Sequence, residues 1–268
     1  MEERWRQRFN DYSTSSFTEI LRVTSPSLLP SASPPLDPRP AQDPSPHGTT
    51  VMALKYRDGV IMVGDRQATE GYQVAHRRIE KIYKADDYSA IGIAGAAGPS
   101  IELARLFQTE LQHYEKVEGD NLSLEGKANK LSQMIRMNLP MAMQGLIVIP
   151  IFAGFDPKAG EGRIFKYDIT GGRYEETDYY AQGSGGKDAR DTLKKLYKKD
   201  APHDEALRIA LEALIDAAEE DVGTGGPDLV KGIFPTMKTI TANGYGEVPE
   251  DGVRRICEAI LEERRSQR

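Results

Sequence analysis

From position 49 onward, short apolar runs alternate with longer amphipathic stretches. Residues 49–55 and 60–63 are rich in β-branched and other apolar side chains, which predicts two strands. Between them the Asp58-Gly59 pair is a hairpin-turn signal. Residues 79–83 and 89–94 predict two more strands. The pattern then changes period. Ile101, Ala104, Phe107, Leu111 and Tyr114 recur at three- and four-residue spacing, which predicts a helix over 100–114, with Pro99 suited to its first turn. A second helix is predicted over 124–139, stopped before Pro140. Strand signals return at 146–153, 163–167 and 174–181. Helices follow at 188–197 and 205–221, then a strand at 233–240 and a closing helix at 253–264. Runs of strands followed by runs of helices indicate an α+β layered architecture rather than a singly alternating parallel order.

The first 48 residues read differently. Eight of the 16 prolines fall between Pro26 and Pro46, among serines and without an aromatic residue. Proline fixes φ and lacks a donor, so this stretch is expected to form neither helix nor central strand, and to be a largely disordered leader. Ahead of it, Phe9, Tyr12, Phe17, Ile20 and Leu21 give residues 5–23 enough apolar surface to dock weakly on a folded body.

Composition narrows the class. A formal charge of −6 argues against nucleic-acid binding as the main activity. One cysteine, Cys257, excludes an intrachain disulfide and a cysteine-based zinc site, and fits a reducing compartment. The apolar stretch 146–155, broken by Pro150 and Gly154, is too short for a membrane span and reads as a buried strand. The mixed-charge start lacks the apolar segment of a secretory signal. The expectation is a soluble, cytoplasmic protein. Gly183-Ser184-Gly185-Gly186-Lys187 fails as a phosphate loop, because Ala181 stands where the first glycine belongs and Asp188 follows the lysine. His47, His76, His113 and His203 have no ligand spacing, and His113 is expected on a helix surface; no metal or cofactor is expected.

Thr49 carries the chemical signal. It follows Gly48 where the proline-rich leader meets the β-rich body. Cutting the Gly48–Thr49 bond would put a hydroxyl nucleophile and a free α-amine, with pKa about 7.7–8.0, on one residue. Read by its position alone, Thr49 more readily just starts a strand, where threonine is favoured. Asp65 follows the second strand, and Lys81 lies in a short β segment where pairing to Asp65 would place a positive charge beside Thr49. Glycines 92, 95 and 98 surround a strand-to-helix turn whose amides are able to hold an oxyanion. A turn aspartate, a solvated lysine and a tight glycine turn are the plain alternatives.

Taken together, Gly48-Thr49-Thr50-Val51, Gly64-Asp65-Arg66, Lys81, Gly92-Ile93-Ala94-Gly95, Gly183-Ser184-Gly185 and Asp221-Val222-Gly223-Thr224-Gly225-Gly226 resemble the β subunits of actinobacterial 20S proteasomes. The match runs from Gly48 to about Ile260, and the stretches HYEKVEG, MAMQGL and TGGPDLVKGIFPT resemble the same branch. The resemblance implies the N-terminal-nucleophile hydrolase fold, a four-layer αββα sandwich. It implies a propeptide over 1–48, self-processed at Gly48–Thr49, and a catalytic domain over 49–268. It assigns Thr49 as nucleophile, Asp65 and Lys81 to its charge and proton network, and Gly95 to the oxyanion hole. Ser184 matches the serine beside the amine, and Asp221 the supporting aspartate. Thr224 stands where many members have serine and keeps the hydroxyl. Substrate main chain would pair with Thr69, Gly95 and Ala97, and Ala68, Ile93 and Ala97 would line an apolar pocket for the residue before the cut. No acidic residue is expected there. The implied partners are proteasome α subunits and further β subunits in four stacked seven-membered rings, a ring ATPase activator and unfolded polypeptides. A silent ring subunit, a small-amide hydrolase of the same fold and the related two-ring threonine peptidase are the competing readings.

Overall fold

The computed structural model of the chain describes residues 14–29, 48–70 and 73–267. The strands at 49–55 and 60–63 form the hairpin of β1 (Thr50–Tyr56) and β2 (Gly59–Gly64), turning at Arg57-Asp58. In one five-stranded antiparallel sheet their neighbours are β10 (Tyr179–Gly183), β11 (Thr236–Thr241) and β12 (Gly244–Glu247), in the order β10-β1-β2-β11-β12. A second runs β5 (Ile82–Asp86), β6 (Ser89–Gly95), β7 (Val148–Asp156), β8 (Glu161–Tyr167) and β9 (Arg173–Glu176). A separate hairpin joins β3 (Ala68–Glu70) to β4 (Gln73–His76).

The inner strands of both sheets are apolar on each side because each sheet is covered twice. Val51, Ala53, Val60 and Met62 face Ala90, Ile151, Ala153 and Ile164 between the sheets. The alternate residues Met52, Leu54, Ile61 and Val63 pack under α5 (Gly186–Leu196), α6 (His203–Glu220) and α7 (Glu250–Ser266). On the far side Ile91, Phe152 and Phe165 pack under α2 (Ala97–Glu118) and α3 (Leu124–Met137), which runs into the short α4 (Leu139–Ala142). Phe107 meets Phe152 edge-on at 5.7 Å, and burying each such ring contributes about 1.5–3 kcal/mol. The stacking is helices, sheet, sheet, helices, the α+β sandwich expected.

Three details differ from the sequence reading. The run 174–181 is two strands in different sheets: β9 closes one, and the chain crosses at Thr177-Asp178 to pair β10 with β1. Lys81 lies just before β5 rather than inside a strand. Within the leader, α1 (Phe17–Thr24) is helical and seated on α2, and Pro26–Leu28 forms a 3₁₀ turn because proline's fixed φ suits a first turn. The rest of the leader, residues 1–13 and 30–47, lies outside the described residues. Among the described residues no helix is long and apolar enough to cross a membrane.

Candidate active site

Pairing of β1 decides what surrounds Thr49. Thr50 stands opposite Gly183 on one side, and Val51 opposite Gly64 on the other. The residue before β1 is therefore flanked by Ser184 and by Asp65. Gly183 has φ +110, and a methyl there would lie 1.7 Å from the Thr49 carbonyl oxygen, so the close approach requires glycine.

Asp65 is fully buried and has four donors. Its Oδ1 accepts from the Thr50 amide at 2.8 Å and from Lys81 Nζ at 2.6 Å. Its Oδ2 accepts from the Gln67 and Gly225 amides at 2.9 and 3.0 Å. Lys81 Nζ also donates to the Gln67 carbonyl at 2.6 Å. Burial pulls the Lys81 ammonium below the ordinary lysine value, with the charge and hydrogen bond of Asp65, and the charge of Asp221, opposing. Removing one partner of this buried ion pair strands the other.

On the other flank is a directed chain of hydroxyls. The Gly185 amide donates to Thr50 Oγ1 at 3.0 Å, and Thr50 Oγ1 lies 2.6 Å from Thr224 Oγ1. Thr224 Oγ1 donates to Asp221 Oδ2 at 2.6 Å, which makes Thr50 the donor to Thr224. Asp221 Oδ2 also accepts from Ser184 Oγ at 2.5 Å. The Thr49 nitrogen, an amide in this uncleaved chain, donates to Ser184 Oγ at 3.3 Å. That nitrogen stands where a free α-amine would be. Thr49 Oγ1 donates to the Gly48 carbonyl oxygen at 2.8 Å. Gly48 itself donates to Thr69 Oγ1 at 2.8 Å and lies against Gly223.

All the residues singled out in the sequence converge on this end of the sandwich. Thr49, Gly95, Ala68, Thr69, Ile93, Ala97 and Lys81 line one pocket; Ser184, Asp221 and Thr224 form the cluster beside it. Gly95 has φ +135, and a methyl there would lie 2.1 Å from the Ile147 carbonyl oxygen. The pocket differs from expectation in one respect: Glu80 is part of its wall, with Ile79, Tyr83, Ser100 and Ile101. Glu80 Oε1 is already engaged, accepting from the Lys81 and Ile82 amides at 3.2 and 3.1 Å and from Thr236 Oγ1 at 3.1 Å. The free cavity is about 30 Å³, room for about one or two waters while Gly48 is in place. Thr50, Gln67 and Gly225 were missed. Thr50 is adjacent to the nucleophile candidate in sequence, but only pairing with β10 turns its hydroxyl into a relay.

A family model described as proteasome subunit matches residues 45–231. The chain is 51% identical over 251 residues to a protein named proteasome subunit beta from Parafrankia sp. (strain EAN1pec), covering 94% of this chain and 91% of that one. A protein of the same name from Acidimicrobium ferrooxidans is 56% identical over 218 residues, 81% of this chain and 77% of its own. One from Stackebrandtia nassauensis is 51% identical over 252 residues, 92% and 90% respectively.

Proposed function

The chain belongs to the proteasome subunit family, and from that membership we propose that Thr49 is the nucleophile of its peptidase site and that the chain cuts itself at Gly48–Thr49. It is a β-type threonine peptidase subunit of the proteasome core, a multi-subunit particle containing α subunits. The observation that carries the residue assignment is the placement of Thr49. Its hydroxyl is 2.8 Å from the oxygen of the Gly48 carbonyl, and its nitrogen faces Ser184.

In the first step Thr49 Oγ1 attacks the Gly48 carbonyl carbon. The C–N bond breaks, an ester forms, and the hydroxyl proton ends on the departing nitrogen. Water hydrolyses the ester, leaving Gly48 as a carboxylic acid and Thr49 with a free amine. In the mature subunit Thr49 Oγ1 attacks a substrate carbonyl. The α-amine takes its proton and delivers it to the leaving amine, and water then releases the acyl group. The Lys81 charge, held by Asp65, favours the developing alkoxide. Ser184 holds the amine, and the Asp221 carboxylate, itself fixed by the Thr224 and Thr50 hydroxyls, orients Ser184. The Gly95 amide is assigned to the oxyanion, and Thr69 and Ala97 to the substrate main chain. Ala68, Ile93, Ile79 and Ile101 favour an apolar side chain before the cut. Two outer α and two inner β rings of seven, an ATPase activator and a cytoplasmic setting complete the reading.

The test is the intact mass of the β chain after co-expression with its α partner. Wild type loses residues 1–48; Thr49→Ala keeps them and shows no peptidase activity. Wild-type processing and turnover by Thr49→Ala would reject the assignment.

A further inference from the structure

The buried stripe of α2 contains a carboxylate. Ser100, Leu103, Ala104, Phe107, Glu110 and Leu111 face inward, and Glu110 is 2% exposed. Its partners come from the leader. Glu110 Oε2 accepts from both the backbone amide and the hydroxyl of Thr18, each at 2.7 Å. Lys130 of α3 pairs with Glu110 Oε1 at 2.5 Å and donates to Ser16 Oγ at 2.7 Å. Ser16 caps α1, accepting from the Glu19 amide at 3.3 Å. Helix starts carry amides without internal partners and a partial positive charge, so a carboxylate placed there satisfies both. Phe17 covers His113, ring centroids 5.6 Å apart, above a buried and unpartnered Nε2. His113 is thus half-buried under the leader, not a free surface residue.

We propose that the Glu110–Lys130 face of α2 and α3 is a docking site for the first turn of a helix, filled by residues 14–29 in the uncleaved chain and vacated once the leader is cut. The chemistry it reads is a serine cap followed by an aromatic residue and threonine. Two observations make the occupancy depend on the covalent link. The helix has eight residues, too short to hold itself together in water. A cleft of about 270 Å³ stays open beside it, walled by Ser16, Thr18, Arg22, Lys130 and Met137, and Val23 is 74% exposed. Weak packing of this kind is saturated by a tether, which supplies an effective concentration of about millimolar, and is lost to dilution without it. Vacancy leaves Glu110 Oε2 without the two donors of Thr18 and uncovers His113 beside it. The same bond cleavage that frees Thr49 therefore uncovers a recognition surface farther along α2, the helix whose first turn lines the Thr49 pocket.

Hydrogen exchange on the full-length Thr49→Ala chain tests docking, and this half does not depend on the peptidase reading. Amides of residues 18–24 should exchange at least about tenfold more slowly than in an unstructured peptide. Thr18→Val should abolish that protection, and Thr18→Ser should retain it; absent protection in the Thr18-intact chain overturns the docking site. Vacancy rests on the proposed cut and is tested on the processed particle with a labelled peptide of residues 14–29. Less than half should be bound at about 10 μM, and half or more bound overturns the tether dependence. Failure of the cut itself shows separately, as retained leader in the mass of the wild-type chain.

Discussion

Replacing Gly48 by alanine isolates the geometry of self-processing from that of peptide turnover. Gly48 has no φ in the left-handed region, so alanine meets no backbone penalty of its own. The obstacle is spatial. A methyl on Gly48 would lie 2.1 Å from the Gly223 Cα and 2.4 Å from the Gly223 carbonyl oxygen, where ordinary contact begins at 3.4 Å. Relief requires the two backbones to part by about 1 Å, and a displacement of that size at reacting atoms costs about 10²-fold in rate. That corresponds to about 2.7 kcal/mol of barrier. The Gly223 side cannot yield freely, because the Gly223 amide donates to Asp221 Oδ1 at 3.1 Å and the Thr224 amide to the Asp221 carbonyl at 3.1 Å. The assay is a time course of β-chain mass in assembled particles, wild type against Gly48→Ala, followed by peptidase kinetics on whatever fraction has matured. Processing should slow by about 100-fold, while the matured fraction, from which residue 48 is gone, should match wild-type kcat and KM. Processing within about threefold of wild type would refute the steric argument.

Thr50→Val keeps the shape of the side chain but breaks the hydroxyl chain, leaving the Gly185 amide and Thr224 short of a partner; stability measured by denaturant unfolding should fall by about 1–3 kcal/mol, and the matured enzyme should lose kcat more than KM. Lys81→Met strands the buried Asp65 charge, so it should destabilise by about 3–5 kcal/mol and abolish both processing and peptidase activity. The pH dependence has a definite sign. Burial lowers the folded-state pKa of Lys81, so between that value and the ordinary 10.5 the unfolded chain binds more protons at this residue, and its contribution to stability rises with pH. The difference in unfolding free energy between wild type and Lys81→Met should therefore grow across that alkaline window, and a difference that shrinks would reject the desolvation argument.

The apolar pattern alone determined the layered class and the order of the buried strands and long helices, because each buried face imposes its own period on the chain; the β3–β4 hairpin, the edge strand β12 and the short helices α1 and α4 escaped it. It also singled out Thr49, since a hydroxyl and a latent amine on one residue are local facts. Asp65 and Lys81 were legible as a pair, and the structure joins them at 2.6 Å; Ser184 and Asp221 were legible only as members of an ordered set. Tertiary structure decided the rest. β9 and β10 are edge strands, mostly half-buried or exposed, and the tyrosines and acidic residues across them read as one continuous run, so the crossing between them left no trace in residues 174–181. Thr50 became a relay only because β10 brought Gly185 to it and the loop after α6 brought Thr224. Glu110 sits three residues after Phe107, on the buried side of α2, and its donor Thr18 is 92 positions away. Such pairings are made by packing across the chain, and no local period encodes them.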